Sequence, residues 1–297
     1  MATACKVGSF TLSAAGGTGN KSFAHGLGST PKAIIFFSVG PGVTVDGNSG
    51  HANSCIGMAV SSTQRCVVSG VSLDALGTSD TGKDVRTTAC IVHLTNATTV
   101  PTVDAVADFV SFDGTNFTIN VTDAPAADTL IQFMALGGTD LTNVFVGSIT
   151  PPTSVGTQDI TAPGFTPDGI FFLSGSSTAT GSHDPIALGF AANNGGSIEQ
   201  SSHSWFDLDA AITMRSWVAG YNNMCISYAL ATDAIDAQAS LNAFITNGFQ
   251  LNWNDAATAG GSVFYLAMKG PAFSVLNRQK PISNQTETVT TGFQPRG

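Results

Sequence analysis

A histidine beside a carboxylate is the usual starting point for acid–base chemistry. This chain offers two such pairings: His183 with Asp184, and His203 with Asp207. Asp207 and Asp209 also alternate along Trp205-Phe206-Asp207-Leu208-Asp209. Two carboxylates beside a tryptophan are the raw material of glycoside hydrolysis. Asp46, Asp80 and Asp84 lie in polar stretches whose oxygens could hold Ca²⁺. Each case has a plainer account: a loop histidine near an aspartate, an edge strand carrying two solvated acids and a packed Trp205, or polar loops. The five histidines, His25, His51, His93, His183 and His203, bring no further acidic partner. The chain has no Gly-x-Ser-x-Gly elbow, no His-Glu-x-x-His, no Cys/His quartet and no EF-hand loop. Gly16-Gly17-Thr18-Gly19 precedes no helical pattern, so it carries no nucleotide signal. The sequence therefore assigns no catalytic residue, no metal ligand and no cofactor.

The elements that would position these residues come in two copies. Ser29-Thr30-Pro31-Lys32-Ala33-Ile34-Ile35-Phe36-Phe37 returns as Phe165-Thr166-Pro167-Asp168-Gly169-Ile170-Phe171-Phe172. Ile56-Gly57-Met58-Ala59 returns as Leu188-Gly189-Phe190-Ala191, Cys90-Ile91 as Cys225-Ile226, and Asn116-Phe117-Thr118-Ile119-Asn120 as Gly248-Phe249-Gln250-Leu251-Asn252. Matches kept in one order at a near-constant spacing mark a repeated domain, too long for a solenoid unit. They place a first domain at 1–140, a second at 141–271, and a tail at 272–297. In the tail, Gly292-Phe293-Gln294-Pro295-Arg296-Gly297 starts the pattern a third time. The tail is expected to add a strand to the second domain, to pair with another chain, or to open a further module.

Period-two alternation predicts strands throughout. Phe10 and Leu12, Ala33, Ile35 and Phe37, and Phe117, Ile119 and Val121 each share a strand face. The unbroken runs Ile34–Phe37 and Gly169–Leu173 read as strands buried on both faces. Asp113-Gly114 and Asn247-Gly248 read as hairpin turns. One short helix is expected from Asp233 to Phe244, whereas its first-repeat counterpart, Val103–Phe109, reads as a strand or turn. The expected fold is all-β: two tandem β-sandwich, jelly-roll-like domains followed by a C-terminal strand.

Composition agrees. Among 297 residues only 10% are charged, while 33 Gly mark frequent turns and 42% hydrophobic residues supply a core. A net charge of −9 with 11 scattered basic residues opposes nucleic-acid binding. The longest apolar run is too short to cross a bilayer, and Met1-Ala2-Thr3-Ala4-Cys5-Lys6 lacks the features of a secretory signal. The expectation is synthesis in a cytoplasm without membrane insertion. Cys90 and Cys225 occupy equivalent positions, which suits small buried residues. Cys55 and Cys66 could pair across neighbouring strands, although reduced core thiols fit a reducing compartment better. The second domain holds Trp205, Trp217, Tyr221, Tyr228, Trp253 and Tyr265. Exposed, such rings could stack on a glycan; buried, they fill a core.

The Thr-Pro strand motif, Ile56-Gly57-Met58-Ala59, the stretch Ser72 to Arg86, Cys90-Ile91, Phe109-Val110-Ser111-Phe112-Asp113 and Ala135-Leu136-Gly137-Gly138-Thr139-Asp140 together resemble a repeated β module of tailed-bacteriophage virion structural proteins. The resemblance spans nearly the whole chain. The second domain departs from it by lacking the Gly77-Thr78-Ser79-Asp80-Thr81 segment and by diverging over Ala211–Tyr221. It implies a non-enzymatic virion protein, a capsid-decorating or fibre subunit, whose partners are other virion proteins of the capsid or tail. It further implies a homo-oligomer, a trimer or lattice member. A carbohydrate-binding, lectin-like module that recognises a host-surface glycan is the alternative, and a hydrolase comes third.

Overall fold

The computed structural model describes residues 4–40, 42, 50–74, 76–96, 101–175, 181–212, 216–229, 234–258, 261–270, 272–275 and 288. The first domain contributes β1 (Ala4–Leu12), β2 (Gly19–Ala24), β3 (Ala33–Ser38), β4 (Ala52–Ala59), β5 (Arg65–Leu73), β6 (Asp80–Arg86), β7 (Ile91–Asn96), β8 (Thr102–Phe112), β9 (Asn116–Asp123) and β10 (Thr129–Gly137). The second contributes β11 (Asn143–Ile149), β12 (Gly156–Ile160), β13 (Gly169–Ser174), β14 (Gly181–Ser182), β15 (Asp184–Asn194), β16 (Ser197–Asp207), β17 (Ser216–Tyr221), β18 (Ile226–Ala229), β19 (Ile235–Ile245), β20 (Gly248–Asp255) and β21 (Val263–Lys269). Every pairing is antiparallel.

The two domains have one topology. A large sheet runs β1-β10-β3-β4-β5-β6 in the first and β11-β21-β13-β15-β16-β17 in the second. A small sheet of four strands covers it, β2-β9-β8-β7 or β12-β20-β19-β18. The first two strands of each domain pair with the last two, which gives the jelly-roll wrap; the middle strands meander. Among the described residues β14 is the one addition; it leaves the second domain and pairs with β6 of the first.

Alternation decides which side chains fill each sandwich. Phe10, Leu12, Ile34, Phe36, Phe117, Ile119, Val121, Ile131 and Phe133 form the first core. Phe10, Phe36, Phe117 and Phe133 meet there ring to ring, with Phe117–Phe133 centroids 5.1 Å apart. The second core is built around Phe172, Phe249, Tyr265, Tyr228 and Trp253.

The repeat landmarks mark where the sheets of each sandwich touch. A β-carbon at Gly57 would stand 1.8 Å from the Cys90 carbonyl oxygen, and one at Gly189 would stand 1.7 Å from that of Cys225. In both domains the cysteine Sγ then lies 3.5 Å from a carbonyl of the next strand, Ala107 or Ala239. Bulges recur at matching places, near Val106/Ala107 and Gln238/Ala239. Asn247 turns the β19–β20 hairpin at φ 66°, and Gly248 already belongs to β20. At the β8–β9 turn the Asp113 carboxylate accepts the backbone N–H groups of Thr115 and Asn116, each at 2.7 Å.

The helix expected from Asp233 to Phe244 is corrected: the segment is strand β19, paired on both sides, and Asp233 itself lies outside the described residues. Its alanines favour a helix locally, but Ala237, Ala239 and Leu241 alternate into the core between β18 and β20, and that pairing overrides propensity. A Cys55–Cys66 bridge is excluded. Cys55 faces the first core, while Cys66, opposite Met58, points out of the other side of the same sheet. All five cysteines are free thiols. Of the tail, residues 272–275 and 288 are described, and none of them is in a strand. Phe273 rests on Gly169, and Glu199 accepts the Ser274 hydroxyl and the Val275 N–H, both at 2.8 Å.

Candidate functional site

Among the described residues, chemistry-bearing side chains from both domains converge in one region, the seam between the large sheets. Its base is a third apolar cluster, distinct from the two sandwich cores. Ile35, Ile56, Met58, Cys66, Val68 and Val85 meet Val146, Phe171, Leu173, Ile186, Phe264 and Leu266 there. This explains the unbroken apolar runs: one face of β3 or β13 fills its own sandwich and the other fills the seam. So apolar a junction resembles an obligate interface rather than a tether between loose domains.

A polar rim flanks it, built from the segment that the second repeat lacks. Ser79 is bound four ways to Leu208–Ala211. Its N–H donates to the Ala211 carbonyl at 3.0 Å, its carbonyl accepts Ala210 N–H at 2.9 Å, its hydroxyl donates to the Leu208 carbonyl at 2.6 Å, and its Oγ accepts Ala211 N–H at 2.9 Å. Thr81 donates its N–H to Asp209 Oδ1 at 3.1 Å and its hydroxyl to the Asp207 carbonyl at 3.0 Å. His183 N–H donates to the Thr81 carbonyl at 3.0 Å. Asp209 N–H donates to His183 Nδ1 at 2.9 Å, so that nitrogen keeps its lone pair. Burial lowers the His183 pKa, consistent with a neutral ring.

Behind the rim Lys83 and Asp184 are both buried. Burial pushes the Lys83 ammonium down to about 8, against the pull of Asp184. Burial, reinforced by Asp207, raises the Asp184 carboxyl well above its ordinary range. Space for Asp184 exists because residue 70 is glycine: a β-carbon there would stand 1.8 Å from its Oδ1. Asp84, also buried, is gripped by Arg86 through two bonds of 2.6 and 2.8 Å.

The structure thus separates some of the sequence candidates and joins others. Asp207 and Asp209 hold the rim through backbone and side-chain acceptors. His203 is exposed on β16, with its ring centroid 6.0 Å from that of Trp205. Asp80 and Asp209, from different domains, share an open depression with Leu76–Ser79, and burial together with Asp209 raises the Asp80 carboxyl. Asp46 lies outside the described residues. No group of three or more metal-ligating side chains occurs among those described. Three histidines hold backbone instead: Nδ1 of His25, His51 and His183 accepts an N–H from Leu27, Asp74 and Asp209.

One arrangement escaped the sequence. Ser38 Oγ lies 2.5 Å from His93 Nε2 in the first sandwich. A serine bonded to a histidine is the core of a nucleophilic dyad. Here both are buried, His93 Nδ1 has no partner to orient it, and burial pushes His93 down to about 4. The pair is a core contact that satisfies the Ser38 hydroxyl and His93 Nε2 and leaves Nδ1 unpaired. His93 matches Tyr228 three residues after the equivalent cysteines, a swap of residue type that hides the position from motif reading.

The aromatic set divides too. Trp253, Tyr228 and Tyr265 are fully buried, with Trp253 Nε1–H donating to Gln158 Oε1 at 2.9 Å. Trp205 is half-buried at the seam cluster, and Trp217 and Tyr221 are half-buried on β17. No protein-family model matches this chain, and no curated protein matches it.

Proposed function

We propose that this protein is a non-enzymatic structural subunit of a tailed-phage-type virion, a capsid-decorating or fibre component. It would act through sheet faces, strand edges and loops against neighbouring chains. The observation that carries the reading is the seam. The chain devotes the outer face of each large sheet, with buried Lys83 and Asp184 beside it, to locking two copies of one sandwich together. Rigid stacking of repeated sandwiches is the task of an assembly part, and it leaves a short chain few side chains for chemistry. The resemblance of both repeats to a virion β module supplies the context.

The test is direct. Density-banded particles from lysates of the culture carrying the gene are mapped by peptide mass spectrometry, and the purified chain is sized by light scattering. The expected result is a stoichiometric virion component that self-associates. Absence from particles together with a monomeric chain overturns the proposal.

A lectin-like module is the second reading, supported by the part-exposed rings of Trp217 and Tyr221, which share one face of β17 with Ala219 between them. It expects glycan-array binding that is lost in Trp217→Ala; an empty array removes it.

A further inference from the structure

The seam is heterologous, and each domain has spent only half of its outer sheet face on it. β5 and β6 of the first domain lie against β15, and β5 also meets β11. One end of the first large sheet therefore packs on the opposite end of the second. Equivalent positions follow from register. In the first domain Gly57 pairs with Val67, which pairs with Arg86; in the second, Gly189 pairs with Ser202, which pairs with Tyr221. Counting along those strands, Val68 matches His203 and Lys83 matches Val218. Val7 opposite Met134 likewise matches Val146 opposite Leu266.

At three matched positions of the outer face, what one domain buries the other exposes. Met58 is 0% exposed and its match Phe190 is 44%. Lys83 is 7% exposed and Val218 is 68%. In the other direction Val146 is 5% exposed and Val7 is 64%. Two apolar half-faces remain: Val7 and Met134 at one end of the molecule, and Phe190 and Val218 at the other, bordered by Phe37 and Trp205, which are partly covered by the seam. They are the same two halves that already fit each other inside the chain. The edges agree. β6 is capped by β14, but among the described residues its counterpart β17 pairs only with β16.

We infer that the β15–β16–β17 face of one molecule receives the β1–β10–β3 face of a second copy of this chain, repeating the internal seam between molecules. A contact of two unlike patches leaves one of each free after every addition, so assembly is head to tail and ends as a ring or continues as a filament. This deepens the assembly reading above but does not require a virion.

The test uses the full chain in three single variants. Val7→Glu and Val218→Glu each place a charge on one half-face at a site exposed enough to leave the fold intact. Thr122→Glu puts the same charge on the exposed outer side of the small sheet as a control. Sedimentation velocity of the wild type should show oligomers. Each of the first two variants alone should weaken self-association at least tenfold, and the control should not. Mixed together, the two variants should form a 1:1 dimer of twice 30.3 kDa, because each supplies the half-face the other lacks. Wild-type oligomers indifferent to both substitutions, or a mixture that stays monomeric, overturn this interface while leaving the assembly reading standing. A monomeric wild type overturns both.

Discussion

His93 shows how one residue couples the interior of this protein to pH. It is buried, bonded only through Nε2, and held down to about 4 from an ordinary value of 6.5. Between those values the unfolded chain binds a proton that the folded chain refuses. Stability from this residue is therefore complete above pH 6.5 and is lost as pH falls toward 4. The loss between pH 7 and pH 5 should be about 2 kcal/mol. Urea melts at the two pH values measure it, and His93→Gln should flatten the difference. An equal slope in wild type and variant would assign the acid sensitivity elsewhere. The buried pair Lys83 and Asp184 shows the same effect of burial. Each is shifted toward its neutral form, as expected of charges taken into an apolar seam.

At the scale of elements, each sandwich depends on one close approach between its sheets. Gly57 on β4 and Gly189 on β15 let the backbone of Cys90 or Cys225 lie directly on the large sheet. A methyl group at either site overlaps a carbonyl oxygen, which cannot move without shifting a strand. Gly57→Ala and Gly189→Ala should each cost about 3 kcal/mol or more. Gly114→Ala has open space around the new carbon and should change stability by less than about 1 kcal/mol. Chemical denaturation of the three variants compares them. The ion pairs show the same element-level divergence between repeats. Arg65 grips Asp108 across the first sandwich at 2.6 and 2.8 Å, while in the second Gln200 accepts Leu241 N–H at 2.7 Å. One neutral bond there replaces a charged fork.

For the whole molecule, the apolar seam predicts that the two domains unfold as one unit. Val68 is fully buried against Gly175 of the second domain, and a charge there would be sealed without a partner. Calorimetry should record a single unfolding transition for the wild type and two for Val68→Asp, with the seam weakened by about 3 kcal/mol. Two separate transitions in the wild type would mean that the domains are independent despite their contact.

Much of this was written in the chain. Alternation at Phe117, Ile119 and Val121 reports a half-buried strand, because side-chain direction has period two whatever surrounds it. The double-sided burial of Ile34–Phe37 and Gly169–Leu173 was equally plain, since only a strand covered on both faces needs an unbroken apolar run. The repeat itself announced two copies of one fold. Other features depended on partners far apart in sequence. β19 reads as a helix until β18 and β20 pair with it. Cys55 and Cys66 look bondable until the pleat sends them to opposite faces. Ser38 meets His93 across 55 residues. Asp80, Asp207 and Asp209 looked like ligands or catalysts, and tertiary packing made two of them clamps on Thr81. Local pattern determines which face of each strand is apolar; which surface covers that face is a long-range choice, and only the packed sheets decide it.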